Sequence, residues 1–537
     1  MSRQLAGTVL SAPLARSLFE LVRAWACRAA EATAVVCPQG RFDYAALERR
    51  AARAAAAMQA AGVRRGDRVG LLLANRIEWI DLCLGAGALG ATTVPLSTWS
   101  TRSELSFLLA DAGLTLLVAQ AQFGERDFHA DLVALQGSAE WPREVWVLDR
   151  DDARGETPFT RLADALAQAP RAAAIDAADP NSDALVLYTS GSTSAPKAVP
   201  LAQYAVVENG FNIGQRQGLT AADKVLLSAP LFWAYGSANA LPATFGHGAA
   251  LVLLEKFDAG IAIDIVERER CTAIYALPAM SAAIARHPGY RKQRLASLRT
   301  GLTLGSVDEF LSQVDVLGAA ELCNIYGATE TCGNCCVTWH HWPLERRARC
   351  QGLPLPGQEL RFVDDDSGEP VAPGAPGLVE VRGYTTRGYL GASAAQNEKA
   401  FSADGFYRTG DMGRLNADGD FVFVGRVSEM IKRAGINVSP SEVEAVLRRD
   451  PSVADVAVTG VPDAERGERI IAFVVPKPGV ALDVRSLQAL CAIELSKYKL
   501  PDRIEACEAL PLTVTGKLQR RELKRLALKL QPKGSER

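Results

Sequence analysis

The chain lacks an excess of charge of either sign: 59 Lys and Arg face 61 Asp and Glu, a formal net charge of -2. No basic run is long enough to track a phosphate backbone, so nucleic acid and anionic membrane surfaces are not expected as partners. The N-terminus, MSRQLAGTVLSAPLARSLFELVRAWACRAA, is Arg-rich and amphipathic but has no continuous apolar core. That argues against a secretory signal and for a first helix that docks on the fold. The eleven cysteines are unevenly spaced and show no pair of Cys-x2-Cys units. They read as reduced thiols, and the expected compartment is cytoplasmic. From Val225 to Leu254 there is no Asp, Glu, Lys or Arg, and the stretch is long enough to cross a bilayer. It also carries Pro230, Pro242, Asn239, His247 and several glycines, which would leave backbone groups unsatisfied in lipid. No membrane span is therefore expected, and the stretch reads as the uncharged wall of a binding pocket.

What is present begins with length and periodicity. At 537 residues the chain exceeds a single core. From Asp43 onward, YAALERRAARAAAAMQAAGV reads as a helix, RRGDRVGLLLA as a strand, RIEWIDLCLGAGALG as a helix and TTVPLS as a strand. SELSFLLADAG and LTLLVAQ repeat the alternation, which is that of a helix-covered parallel sheet. Residues 120–180 are less regular and read as surface helices and connections. IAIDIVERERCTAIYALPAMSAAIA resumes helix, strand and helix. From about Arg361 short strands separated by Gly and Pro take over, with Asp404-Gly405 and Asp418-Gly419 as turn signals. After Arg426 the pattern mixes again: a helix at PSEVEAVLRRD, strands at VADVAVTGVP and RIIAFVVP, a helix at VRSLQALCAIEL. The expected fold class is α/β. Residues 1–427 form a large N-terminal domain of βαβ subdomains plus a β-rich subdomain, and residues 428–537 a small α+β domain.

One loop stands out. Tyr188 to Pro200 reads YTSGSTSAPKAVP and follows the apolar run DALVLY. Thr189, Ser190, Ser192 and Thr193 crowd their hydroxyls around Gly191, and Lys197 closes the loop. Backbone N–H groups, hydroxyls and a lysine of this kind suit the oxygens of a phosphate. It is not a Walker loop, because Pro196 precedes Lys197 and Ala198 follows it. Four further motifs come in order: IYGATET at 325–331, YRTGD at 407–411, GRVSEMIKRAGINVSPSEVE at 425–444 and LPLTVTGKLQRREL at 510–523.

Together the five motifs resemble the adenylate-forming superfamily of acyl-CoA synthetases, luciferases and peptide-synthetase adenylation domains, over nearly the whole chain. The nearest branch is that of the acyl-CoA synthetases, the aryl- or fatty-acid–CoA ligases. The resemblance implies ATP, Mg²⁺ and CoA. It implies that Tyr326 lies on adenine, that Thr329 donates to the α-phosphate and that Glu330 is the Mg²⁺ ligand. Gly301 falls in an adenine-contacting segment, while Asp411 and Arg426 take the ribose. Lys517 is the implied catalytic lysine. The small domain, mobile about the hinge residue Ser428, would withdraw Lys517 between half-reactions and present the segment from Lys432 to Ser439, including Gly435 and Asn437, to CoA.

The pattern also departs from that superfamily. Ser194 and Ala198 stand where glycine is usual, Trp233 replaces a common histidine, Gly301-Leu302 replaces a Gly-Gly pair, and Ser428 replaces Asp or Lys at the hinge. Segments 231–239, 301–306 and 324–336 should line the acyl pocket, with Trp233, Tyr235, Gly236, Asn239, Gly327 and Gly333 as substrate-binding residues. An amino acid would need a carboxylate opposite its ammonium, and the uncharged stretch has none. The expected substrate is a hydrophobic monocarboxylic acid: aryl, alicyclic or medium-chain. Cys332, Cys335, Cys336, His340, His341 and Cys350 could ligate zinc in principle, but small apolar lining is the default reading. A carrier-protein phosphopantetheine as acceptor, a homodimer, and a catalytically impaired nucleotide-binding regulator are alternatives that the motifs leave open.

Overall fold

The computed structural model describes the chain except residues 1–4, 8–10, 138, 139, 149–156, 172, 174, 176–178, 190–195, 365, 366, 434, 435, 464, 465, 496, 513–517 and 531–537. By internal contacts the chain forms two compact units: residues 4–361 with 380–408, and residues 1–3, 362–379 and 409–537.

In the larger unit, alternating apolar strands and amphipathic helices build two sheets. The first has seven strands, ordered Thr160–Arg161, Glu144–Leu148, Leu116–Gln120, Arg68–Leu72, Thr92–Pro95, Asp183–Thr189 and Lys197–Ala202. All pairs are parallel except the last, in which Asp183–Thr189 turns back antiparallel onto Lys197–Ala202. Parallel strands bury both faces, so they read as near-continuous apolar runs. Polar side chains mark where the helices begin. Asp43 caps Tyr44–Ala60 by accepting from the Ala46 N–H at 2.6 Å, and Thr101 and Glu104 form a reciprocal capping box for Arg102–Ala112. Each cap is worth about 1 kcal/mol.

Residues 120–180 hold more regular structure than the sequence suggests. Phe128–Leu135 and Leu162–Gln168 are helices, but Glu144–Leu148 is an interior strand, with Val145, Trp146 and Val147 buried. The run EVWVL is short and flanked by charge, so its β-branched and aromatic content was its only signal.

The second sheet has nine strands, ordered Leu353–Pro354, Cys336–Val337, Glu321–Tyr326, Thr300–Thr303, Ala273–Tyr275, Lys224–Leu227, Ala250–Leu253, Thr33–Cys37 and Gly40–Asp43. Its six central strands are parallel, and antiparallel strands close both edges. The uncharged stretch lies inside this sheet. Lys224–Leu227 leads through a π-helical turn, Tyr235–Ala240, and a short helix, Leu241–Gly246, to the neighbouring strand Ala250–Leu253. No helix among the described residues is long and apolar enough to cross a membrane.

In the smaller unit, residues 411–415 pair antiparallel with Phe421–Arg426 across the Asp418-Gly419 turn, where Gly419 has φ 80°. Further on, Val453–Asp463 and Gly467–Pro476 form a long hairpin, joined by Ile431–Arg433, Ile436–Val438 and Arg503–Ala506 into one sheet. The helices Pro440–Leu447 and Val484–Glu494 supply Val443, Leu447, Leu487 and Cys491 to a core with Val456, Val458, Ile470, Ala472 and Val474.

Candidate active site

The site is built from loops at strand ends. Register places Thr189 directly opposite Lys197 at the end of the antiparallel pair. Ser190, Gly191, Ser192, Thr193 and Ser194 lie outside the described residues. Ala198 is buried, its N–H donating to Ser393 Oγ (3.2 Å) and its carbonyl accepting from the Leu390 N–H (3.0 Å). A methyl is accommodated there without the freedom of glycine.

The second element follows the strand Glu321–Tyr326. Gly327 must be glycine because a Cβ would stand 2.1 Å from the Gly333 carbonyl oxygen. The chain then closes a tight turn, Thr329–Thr331, in which the Thr331 N–H and hydroxyl both donate to the Ala328 carbonyl (3.0 Å each). Cys332 and Gly333 continue it with φ 58° and 85°. Two buried amides hold the turn from outside: Asn209 Nδ2 donates to the Cys332 and Asn334 carbonyls, and Asn239 Nδ2 to the Cys332 carbonyl. Tyr326 ends the strand at 8 % exposure, and Thr329 is half-buried beyond it.

Glu330 is also only 8 % exposed. Its Oε1 accepts from the Tyr389 hydroxyl (2.9 Å), which lies 3.3 Å from the Tyr407 hydroxyl. Burial first, and then the charge on Glu330, push both phenols up, so each stays protonated and can donate. The Lys197 ammonium is 4.7 Å from the centroid of the Tyr389 ring. Among the described residues no Lys, Arg or His forms an ion pair with Glu330. A buried carboxylate held by one phenol and left without a cation among the described residues fits a hard divalent ion. The cysteine and histidine cluster fits a metal poorly. Burial pushes the Cys332 thiol up to about 12 and raises Cys336, His340 bonds Glu321 (3.1 Å), and no group of three potential ligands converges among the described residues.

The wall segment is held differently. Trp233 is half-buried and meets Trp99 edge-on, with centroids 5.1 Å apart and planes at 83°; its carbonyl accepts from the Ser237 N–H and hydroxyl (3.0 Å each). The Tyr235 hydroxyl reaches the carbonyls of Leu302 (2.8 Å) and Ala276 (3.2 Å), which pins the π-helical turn to two strands. A Cβ on Gly236 would lie 2.6 Å from the Pro230 carbonyl oxygen. One on Gly333 would run into the Asn239 amide at 2.3 Å. Gly301 sits within the strand Thr300–Thr303 at φ 141°, where a Cβ would be 1.9 Å from the Ile274 carbonyl oxygen. Tyr235, Gly236, Asn239 and Gly301 therefore each serve the fold itself, and the structure brings Asn239, Gly327 and Gly333 together around one turn.

In the smaller unit, Asp411 is 3 % exposed and sits directly across the hairpin from Arg426, whose Nε is 3.2 Å from its Oδ1. Ser428 is exposed in the turn Val427–Glu429. Lys432 is exposed, pairs across a hairpin with Asn437, and donates its backbone N–H to Glu468 (2.8 Å). Gly435 and Lys517 lie outside the described residues. Sequence reasoning missed Tyr389, Tyr407 and Arg520, which pairs with Glu429 beside Ser428 (2.8 Å) and with Glu444 (3.3 Å). Tyr389 and Glu330 are separated by 59 positions, so no local pattern announces their contact.

Known proteins resemble the whole chain. Residues 22–390 match the AMP-binding enzyme family and residues 442–517 the AMP-binding enzyme C-terminal domain. An indoleacetate–CoA ligase of Aromatoleum aromaticum is 32% identical over 92% of this chain and 95% of its own. A feruloyl-CoA synthase of an Amycolatopsis species is 33% identical over 92% and 96%. The crystal structure of the anthranilate CoA ligase AuaEII in complex with anthranoyl-AMP superposes with a TM-score of 0.86 at 26% identity, covering 96% of this chain and 99% of that one. With both parts of the family matched in order along its length, the chain belongs to the AMP-binding enzymes and is an AMP-forming acid–CoA ligase that uses ATP and CoA.

Proposed function

We propose that the acid is a hydrophobic monocarboxylate, with aryl acids first and alicyclic or medium-chain acids after them. The observation that carries this reading is the wall from Val225 to Leu254, which offers no charged side chain and presents the half-buried Trp233 braced on Trp99. A flat indole suits a flat acyl group, and an ammonium would find no counter-charge there. The indoleacetate and feruloyl relatives support an aromatic acid.

In the first half-reaction the carboxylate oxygen attacks the α-phosphorus of ATP, giving acyl-AMP and pyrophosphate. In the second the CoA thiol attacks the acyl carbon and AMP leaves. The hydroxyls of Thr189, Ser190, Ser192 and Thr193, the Gly191 backbone N–H and Lys197 hold phosphate oxygens, Thr329 donates to the α-phosphate, and Tyr326 bounds the adenine. Asp411 accepts from the ribose hydroxyls, oriented by Arg426. Glu330 would hold Mg²⁺, which supplies charge neutralisation on the phosphates. Lys517 offsets the charge that builds as the carboxylate attacks. Residues 428–537 act as the mobile domain, hinged at Ser428, and bring the segment from Lys432 to Ser439 to CoA afterwards. The uneven spacing of the eleven cysteines supports a reducing, cytoplasmic setting.

The test is pyrophosphate release across a panel of aryl, alicyclic, fatty and amino acids, with and without CoA. Aryl acids should give the highest kcat/KM and accumulate as free acyl-CoA. Pyrophosphate release without free acyl-CoA would point to a carrier-protein arm as acceptor. A preference for amino acids would overturn the substrate reading.

A further inference from the structure

Two groups of opposite charge face the same tyrosine. The Lys197 ammonium lies 4.7 Å from the centroid of the Tyr389 ring, and the Tyr389 hydroxyl donates to Glu330 at 2.9 Å. Glu330 is buried and without an ion-pair partner among the described residues, although a lysine lies over the face of the ring whose hydroxyl bonds the carboxylate. A buried carboxylate and a nearby ammonium attract strongly where water is scarce, so something must keep them apart. Tyr389 is placed to do so, being itself only 3 % exposed. Its backbone is fixed as well: the N–H donates to Asn397 Oδ1 (2.7 Å) and the carbonyl accepts from Asn397 Nδ2 (3.1 Å).

We propose that Tyr389 is a positioning residue that acts as a spacer: its face holds Lys197 and its hydroxyl holds Glu330, so that lysine and carboxylate do not pair with each other before ATP arrives. The proposal rests on the roles given above to Lys197, for phosphate, and Glu330, for the divalent ion. An ion pair between them would quench both at once. The ring supplies a cation–π site that ATP phosphates can outcompete, and the phenol supplies a neutral donor that leaves the carboxylate its charge. The Tyr407 hydroxyl, 3.3 Å from the Tyr389 hydroxyl, braces the phenol in turn.

The spacer predicts different losses for ring and hydroxyl. Tyr389→Phe keeps the face and loses the O–H: the Mg²⁺ concentration for half-maximal adenylation should rise about tenfold, the scale of one hydrogen bond to a charged group. Its affinity for ATP in EDTA, measured by calorimetry, should stay within about twofold, since the ring still holds the lysine. Tyr389→Leu removes the face and frees Lys197 to pair with Glu330, so metal-free ATP binding should weaken on the order of tenfold. Adding Glu330→Gln to Tyr389→Leu removes the captor and should restore metal-free ATP affinity to near the parent value. A structural role alone would lower the melting temperature of both tyrosine variants and would not be relieved by Glu330→Gln. If the double variant binds metal-free ATP no better than Tyr389→Leu, or if Tyr389→Leu binds it like the parent, the spacer is refuted. Should Tyr389→Leu fail to fold, the unbranched Tyr389→Met carries the same cycle. Calorimetry needs no carboxylic acid, so a wrong substrate class leaves this test standing, whereas a parent protein that binds no ATP would refute the phosphate and metal roles themselves.

Discussion

Two regions of the larger unit are built on opposite principles. Where Lys197, Tyr389, Glu330 and Tyr407 meet, contacts run between side chains far apart in sequence and are dominated by charge. Along the wall from Trp233 to Asn239 they run from side chains to backbone carbonyls, or are forced by glycines that leave no room for a Cβ. The first arrangement can tolerate almost no truncation, because all three contacts pass through the one Tyr389 side chain. The second preserves a shape whatever the side chains facing the acid. Chemistry should therefore fail on single charge changes, and selectivity should drift on changes of size.

The largest expected effect extends this contrast to the smaller unit. Lys517→Ala should lower acyl-adenylate formation about a hundredfold or more, the scale of losing one preorganised charge at the reacting centre. Thioester formation from supplied acyl-AMP should stay within a few-fold of the parent, by the same differential-binding logic. Equal losses in both assays would mean that Lys517 serves the fold or both steps.

Glu330→Gln comes next. The amide keeps the shape and the Tyr389 contact but not the charge, so adenylation should fall about ten- to a hundredfold and partly recover as Mg²⁺ is raised. A rate that does not respond to Mg²⁺ would take Glu330 out of metal binding and weaken the distinction between the two regions.

Trp233→Ala probes the other side. As a pocket wall, its loss should favour bulkier acids and shift the ratio of kcat/KM between substrates by about one to two decades. If the indole only fills space, the variant should instead lose roughly 3 kcal/mol of stability with its substrate ranking intact. The melting temperature and the ranking, taken on one sample, decide between them.

The smallest effect concerns a buried charge that should matter to neither region. Asp81 lies on the helix Ile77–Ala88, which follows Asn75, whose amide bonds the Ala229 carbonyl at the start of the wall. Burial pushes its carboxyl up to about 7 despite the Arg50 guanidinium beside it. The folded state then keeps a proton that the unfolded chain releases near pH 4, so this contribution to stability falls as pH rises from about 4 to 7 and is flat above. Asp81→Asn removes that slope: relative to the parent it should gain on the order of 1 kcal/mol between pH 5 and pH 8, with the substrate ranking unchanged. A changed ranking would mean that charge behind the wall influences selectivity after all.

Much of the fold was legible because its signals are local. The runs after Asp43 and at SELSFLLADAG announced helices, the alternating runs from Arg68 to Gln120 announced a parallel sheet, and Asp418-Gly419 announced a hairpin. Glu144–Leu148 was not announced, since five residues in a charged setting carry too little periodicity. The site divided in the same way. Thr189 and Lys197 belong to one motif, and the strand pairing sets them opposite each other. Tyr235 and Asn239 look like pocket residues in the sequence, and the fold holds the Tyr235 hydroxyl and the Asn239 Nδ2 through Leu302 and Cys332, partners 67 and 93 positions away.

The sequence by itself pointed to a chain that handles a nucleotide and a carboxylic acid, because five short motifs in order resemble those of the adenylate-forming superfamily. It also showed that Val225 to Leu254 carries no Asp, Glu, Lys or Arg, an absence that needs no fold to be read. Only the tertiary structure decided that Lys197 and Glu330 share one tyrosine, that Gly301 is demanded by the Ile274 carbonyl, and that Trp233 leans on Trp99. Such contacts depend on which strand ends the sheet order brings together. That order is set by burial summed over hundreds of residues, which no short run encodes.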